Sequence, residues 1–453
     1  MLRPGSRVPR RFHRPENSVK LAAAIVEPGT HRQQFMAKVK NAFYAQSGGV
    51  TAVINASACG VIQTARKYPE KIGKVYAGRN GIIGALTEDL IDTSLESDAA
   101  IAALRTTPSG AFGSCRYKLK SLEANQREYA RLIEVFKAHD IGYFFYNGGG
   151  DSADTCYKVS QLSEKMGYPV QAIHVPKTVD NDLPVTDNCP GFGSVAKYIA
   201  VSTLEASFDV RSMAKTSTRI FVIEVMGRHA GWIAAAGGLV ADYGIPVVIL
   251  FPEVEFDPQK FLARVEANVK RHGYCTVVVS EGCHYPDGRF IAEQGIKDAF
   301  GHAQLGGAAP VVARMINDAF GYRYHWAVAD YLQRAARHIA SATDVQQAYE
   351  LGRKAVKLAI KGKNSVMPTV IRVSDAPYRY RIGYAELKDV ANVEKFMPAA
   401  FISKDGFGIT KACKRYLQPL IRGEDYPAYR NGLPDYVTLK NKAVARKLPQ
   451  FEV

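Results

Sequence analysis

Three short segments combine glycines with acids and cations: Gln46-Ser47-Gly48-Gly49-Val50-Thr51, Asn147-Gly148-Gly149-Gly150-Asp151-Ser152 and Pro176-Lys177-Thr178-Val179-Asp180-Asn181-Asp182. The paired glycines of the first let a backbone approach an anion, and a helix opening at Thr51 offers unpaired N–H groups and the positive end of its dipole. A tight strand-to-helix turn is the plainer reading of that segment alone. Three consecutive glycines are costly for a folded chain to fix, so the second segment is expected to bring its backbone very close to a ligand, with phosphate oxygens the chemical match. In the third, two carboxylates beside a lysine and a threonine can supply a general base and a metal-facing acid next to a phosphate clamp. Solvated loop charge is the bland alternative there.

The elements around these segments give them a common setting. Each follows a short apolar run: Ala42 to Ala45, Ile141 to Tyr146 and Val170 to Val175. Further runs, Ile220 to Val225, Ile245 to Phe251 and Tyr274 to Ser280, also lead into polar or glycine-rich clusters. Helical periodicity marks Thr51 to Lys67, Ala196 to Met213 and Val345 to Ile360. Strands alternating with helices predict an α/β fold with a largely parallel sheet, whose ligands sit at the carboxyl ends of the strands. From about Asn364 the chain holds aromatics and prolines with little periodicity and is read as an added C-terminal segment.

Composition bounds the function. The 453 residues are 47% hydrophobic, enough for two or three packed domains, and no apolar run is long enough to span a bilayer. Seven scattered cysteines, without a CxxC pair, read as free thiols in a reducing cytosol. The net charge of +16 is partly local: residues 1–35 hold seven Lys or Arg against two acids. That arm is expected to be disordered, with Met36 a natural start or, as the rival reading, with the arm a transit peptide. A basic enzyme for multiply phosphorylated substrates accounts for the remaining charge better than nucleic-acid binding does, since no basic and aromatic recognition module is present.

Together these motifs resemble the phosphofructokinase A family, in which a Gly-Gly turn, a GGDGS or GGDDS loop and a PGTIDND or PKTIDND loop occur in this order. Gly113-Ser114-Cys115-Arg116 resembles its GSxR turn. Arg219 with Val225-Met226-Gly227-Arg228 resembles its R-x(5)-VMGR segment, Ser280-Glu281-Gly282 its glutamate loop, and Tyr331-Leu332-Gln333-Arg334 its [HY]-x-Q-R segment. The resemblance covers about Phe43 to Ile360. It implies two Rossmann-like three-layer α/β/α domains with largely parallel sheets. Residues 36–185 would form the donor domain, completed by about 332–363; residues 186–331 would form the sugar-phosphate domain, and 364–453 a C-terminal extension.

The resemblance also implies roles. Asp180 would be the base toward the sugar 1-hydroxyl, Arg228 would stabilise the transferring phosphoryl group, and Lys177 would clamp the donor. Thr178, Met226, Gly227 and Glu281 would hold the sugar, with Arg219, Tyr331 and Arg334 on its 6-phosphate. Gly48, Gly49, Arg116, Gly149, Gly150, Asp151 and Ser152 would surround the donor phosphates, and Asp151 and Asp182 would hold Mg²⁺. ATP-using members have glycine at the positions of Asp151 and Lys177, so side chains there imply pyrophosphate as donor, with fructose 6-phosphate, fructose 1,6-bisphosphate and phosphate as the other ligands. Part of the 6-phosphate site would come from a neighbouring subunit, implying a homodimer or homotetramer in the cytoplasm.

The sequence also departs from the family. Gly150 replaces an acid that helps hold magnesium, and His325 stands where a phosphate-binding arginine is usual, with Arg323 a candidate substitute. His302-Ala303-Gln304-Leu305-Gly306-Gly307 imitates the sugar-phosphate motif without its arginine. Gly191-Phe192-Gly193-Ser194-Val195-Ala196 matches a dinucleotide fingerprint in letters only, since no strand leads into it. An ATP-dependent enzyme and a nucleic-acid-binding arm are the competing readings.

Overall fold

Runs of buried apolar residues form strands that pair mostly in parallel, separated by helices. The computed structural model describes residues 39–453 apart from 120, 122, 292, 298–302 and 306. The arm expected over residues 1–35 lies outside the described residues, as do His302 and Gly306 of the imitation motif. In chain order the strands are β1 (Lys40–Ser47), β2 (Ile72–Gly78), β3 (Leu90–Asp92), β4 (Ser114–Cys115), β5 (Ile141–Gly148), β6 (Gln171–Pro176), β7 (Ile220–Val225), β8 (Val247–Leu250), β9 (Cys275–Ser280), β10 (Glu293–Lys297), β11 (Ala303–Leu305), β12 (Tyr324–Val328), β13 (Val366–Asp375), β14 (Tyr378–Glu386), β15 (Tyr429–Arg430) and β16 (Leu433–Pro434).

The first sheet runs β14-β13-β6-β5-β1-β2-β3, with β4 also on β1. β3 and β14 are its antiparallel edges. The second sheet, β12-β7-β9-β8, is wholly parallel. Strands buried on both faces read as nearly unbroken apolar runs, and β9 has all six residues buried. Alternate residues of β1 serve opposite layers: Phe43 and Ala45 pack with Phe136 and Phe144, whereas Ala42 and Tyr44 pack with Val61 and Ile173. The second sheet does the same with Ile223 and Val225 on one face and Ile220 and Val222 on the other. Both sheets are therefore covered on both faces, in an α/β architecture. Among the described residues no helix is long and apolar enough to cross a membrane.

The segment after Asn364, read above as an added C-terminal segment, is built into the body. β13 pairs in parallel with β6 and turns back through β14, adding two strands to the first sheet. Residues 417–424 reach the other side: Ser341 Oγ donates to Leu420 O at 2.6 Å, and Lys197 Nζ donates to Gly423 O at 2.7 Å. The chain then returns to β3, where Val444 N–H donates to Leu90 O at 2.8 Å. Buried Glu88 fixes this return by accepting from Lys447 N–H (2.6 Å), Leu448 N–H (3.0 Å) and His139 Nε2 (2.6 Å).

Candidate active site

Register brings the three glycine-and-charge segments together. In the parallel trio β1, β5 and β6, Gln46 pairs with Asn147 and Gly148 with Pro176, so all three segments leave the same edge of the sheet side by side. In the second sheet Val225 pairs with Ser280, which sets Met226–Arg228 beside Glu281. The two sets of loops line one cavity of about 350 Å³.

The donor half is the more crowded. Gly48, at φ +74°, donates its N–H to Cys115 O at 2.9 Å, and Ser114 Oγ donates to Gly48 O at 2.8 Å. Buried Lys177 crosses beneath this turn, its ammonium donating to Gly49 O at 2.5 Å. A methyl group on Gly49 would fall 2.6 Å from Arg334 Nη1 and 3.9 Å from Arg116 Nη2, so both guanidiniums stand over the turn. Arg334, expected on the sugar 6-phosphate, is thus placed at the donor turn. Of the three consecutive glycines, Gly148 is required by packing, since a Cβ there would lie 2.0 Å from Ser152 Oγ; at Gly150 it would meet nothing within 4 Å. Helix Gly150–Lys165 starts without a side-chain cap, which leaves its first N–H groups for an anion. Asp151, on its first turn, is held by Lys118 at 2.5 Å.

The acids sit on the loop after β6. Asp180 N–H donates to Thr178 Oγ1 at 3.1 Å, and Asp182 O accepts from Lys395 N–H at 2.6 Å. Burial raises the proton affinity of both carboxyls; the Asp182 and Glu281 charges reinforce this for Asp180, and Glu394 does so for Asp182. Burial also pulls the Lys177 ammonium down to about 8, against the attraction of Asp180 and Asp182. These opposed shifts bring an acid and a base of the same pocket toward the neutral range. Asp182 Oδ1 is buried with no hydrogen-bond partner among the described residues, the kind of oxygen a divalent cation satisfies. Among those residues no cluster of three or more His, Cys, Asp or Glu could hold a metal ion. A cation here would therefore keep waters and donor oxygens as ligands, which suits Mg²⁺.

The sugar half is stiffened by its own glycines. Gly227 adopts φ +136°, accepts from Ser280 Oγ at 2.6 Å, and donates its N–H to Glu281 Oε1 at 3.3 Å. Gln333 Oε1 accepts from Met226 N–H at 3.2 Å, tying the helix Asp330–Ala335 to this loop. Burial raises the Glu281 carboxyl too.

Thr178, Asp180, Asp182, Met226, Arg228 and Glu281 all line the cavity with the donor residues. Arg219 and Tyr331 do not. Arg219 precedes β7 and binds Ala214 O and Arg323 O at the opposite end of that strand. Tyr331 is exposed and stacks on the Arg334 guanidinium at 3.6 Å.

Other wall residues were not anticipated. Lys118 follows Arg116 by two positions, so the motif beside it was a usable signal. Glu394, Lys395 and Phe396 come from the C-terminal segment. Glu394 pairs with His229 at 3.1 Å, and Lys395 O accepts from Trp232 Nε1 at 3.3 Å. No local pattern marks them.

The sequence pattern of the phosphofructokinase family matches residues 41–359. The pyrophosphate–fructose 6-phosphate 1-phosphotransferase of Methylococcus capsulatus is 73% identical over 411 residues, 90% of this chain and 98% of that protein. The protein of the same name from Halomonas elongata is 68% identical over 415 residues, 91% and 99% of the two chains. The crystal structure of a pyrophosphate-dependent phosphofructokinase from Nitrosospira multiformis, 70% identical, superposes with a TM-score of 0.86 over 91% of this chain and 100% of the other. A phosphofructokinase structure from Saccharomyces cerevisiae, at 18% identity, shares the fold with a TM-score of 0.61 over 77% of this chain and 45% of its own.

Proposed function

The chain belongs to the phosphofructokinase family, and from that premise we propose that it transfers a phosphoryl group from pyrophosphate to O1 of fructose 6-phosphate. The products are fructose 1,6-bisphosphate and phosphate, and the reaction runs in either direction. The observation that carries the choice of donor is the filled space behind the glycine turn: Lys177 lies buried against Gly49 O, and Asp151 and Lys118 meet across the rim. A nucleoside extending from a third phosphate would need that space, and the Asp151 carboxylate would repel its α-phosphate.

As O1 bonds to phosphorus and the bridging P–O bond breaks, Asp180 takes the proton from O1, and the leaving group departs as phosphate. Its raised proton affinity suits a base that must also return the proton in the reverse direction. Lys177, Arg116 and the N–H groups of Gly149 and Gly150 hold the donor, and Arg228 meets the charge on the transferring group. Asp182, whose buried Oδ1 has no hydrogen-bond partner among the described residues, would hold Mg²⁺, which supplies neutralisation of the donor oxygens. Thr178, Met226, Gly227 and Glu281 bind the sugar. The distance of Arg219 from the cavity of its own chain supports a homo-oligomer in which that residue serves a neighbouring site. We place the enzyme in the cytoplasm, as its free thiols suggest.

The test is a purified-enzyme assay with the two donors: turnover with pyrophosphate and none measurable with ATP. Equal rates would remove the steric argument.

A further inference from the structure

Arg116, Lys118, Lys177 and Arg334 line the donor half of the cavity, with the Asp151 carboxylate on its rim. Lys177 is buried and committed to a carbonyl. Lys118 is placed differently: its side chain and that of Asp151 are each a little under half exposed, and they join the loop after Arg116 to the first turn of helix Gly150–Lys165 across the rim at 2.5 Å. An ion pair with that much access to water adds little to stability and is easily exchanged. A terminal phosphoryl group offers the ammonium more charge and more acceptor oxygens than one carboxylate does.

Building on the reading of pyrophosphate as donor, we propose that Lys118 binds and selects it: the ammonium neutralises Asp151 in the resting enzyme and passes to the terminal phosphoryl of pyrophosphate when the donor enters. The exchange makes discrimination depend on donor length. A donor that ends at Lys118 is gripped, whereas one that continues meets the carboxylate the lysine has just released.

Three variants of the full chain test this. Lys118→Met keeps the apolar stem and removes the charge; it should raise the KM for pyrophosphate about 10- to 100-fold while the KM for fructose 6-phosphate stays within about twofold. Calorimetry with imidodiphosphate, in the absence of sugar, should show the same loss, and Lys118→Arg should recover most of it. In the double variant Lys118→Met/Asp151→Asn the raised KM should persist. A KM for pyrophosphate within about threefold of the parent in Lys118→Met would overturn the proposal. So would its restoration in the double variant, since Lys118 would then act only by masking Asp151. Failure of the donor reading itself would look different: the parent enzyme would not turn over pyrophosphate.

Discussion

Replacing Gly282 by alanine tests whether the two sugar-half loops work as one unit. A Cβ at Gly282 would stand 1.8 Å from Arg228 O, 2.5 Å from Arg228 C and 2.6 Å from Gly227 O. Ordinary carbon–oxygen contact is about 3.3 Å, so the Arg228 carbonyl must retreat by roughly 1.5 Å. Retreat is opposed because Gly282 N–H donates to Gly227 O at 3.1 Å, and the same oxygen accepts from Ser280 Oγ at 2.6 Å. Forcing the loops apart should cost about 1–3 kcal/mol of stability, as overpacking generally does. Displacement of this size at the Arg228 backbone should lower kcat about 100-fold. Steady-state kinetics in both substrates, with thermal unfolding alongside, would measure the two effects. A variant with kcat within about threefold of the parent and an unchanged Tm would refute the claim that these loops are rigidly packed around Arg228.

Three further outcomes are expected. Asp180→Asn should lower kcat by about 10²- to 10⁴-fold while fructose 6-phosphate still binds, and a loss under about tenfold would remove Asp180 as the base. The rate should rise with pH through a limb above the usual carboxylate range as buried Asp180 ionises, then fall above about 8 as Lys177 loses its proton; in Lys177→Arg the alkaline limb should vanish from the pH profile of whatever activity remains. Glu88→Ala should destabilise the protein by about 3–5 kcal/mol in denaturant unfolding, because it strands His139 and two N–H groups in a buried place. Hydrogen bonds from His139, Lys447 and Leu448 hold the Glu88 carboxyl below its ordinary range despite burial, so its contribution is present above the unfolded-state value and lost as pH falls through the folded-state one.

The chemistry was legible in the sequence where a local rule expressed it. A glycine pair after an apolar run, or Asp180 and Asp182 after Lys177, reports its place at a strand's carboxyl end, because the parallel sheet converts such positions into neighbours. What escaped was decided by tertiary packing. β13 carries Pro368, a residue that argues against a strand, so its segment reads as irregular chain although it pairs along its length with β14. β14 did carry a signal, in the alternation of exposed Arg379 and Arg381 with the more buried Tyr378, Tyr380 and Ile382. Lys395 reaches Asp182 across more than two hundred residues of sequence, and nothing in its neighbours announces the contact. The motif implies a sugar-phosphate role for Arg334 and Tyr331, and a single chain sets the first over the donor turn and the second outside the cavity.

The wall formed by Glu394, Lys395 and Phe396 bears on how the enzyme is made. Domains tend to fold in order of their emergence from the ribosome, and both sheets can begin to form before these residues have been translated. The loop bearing Asp180 and Asp182 then lacks the backbone bond to Lys395 that pins it. The cavity is therefore completed late in synthesis, and a product cut short before residue 394 would lack both this wall and the bond that holds Asp182 O.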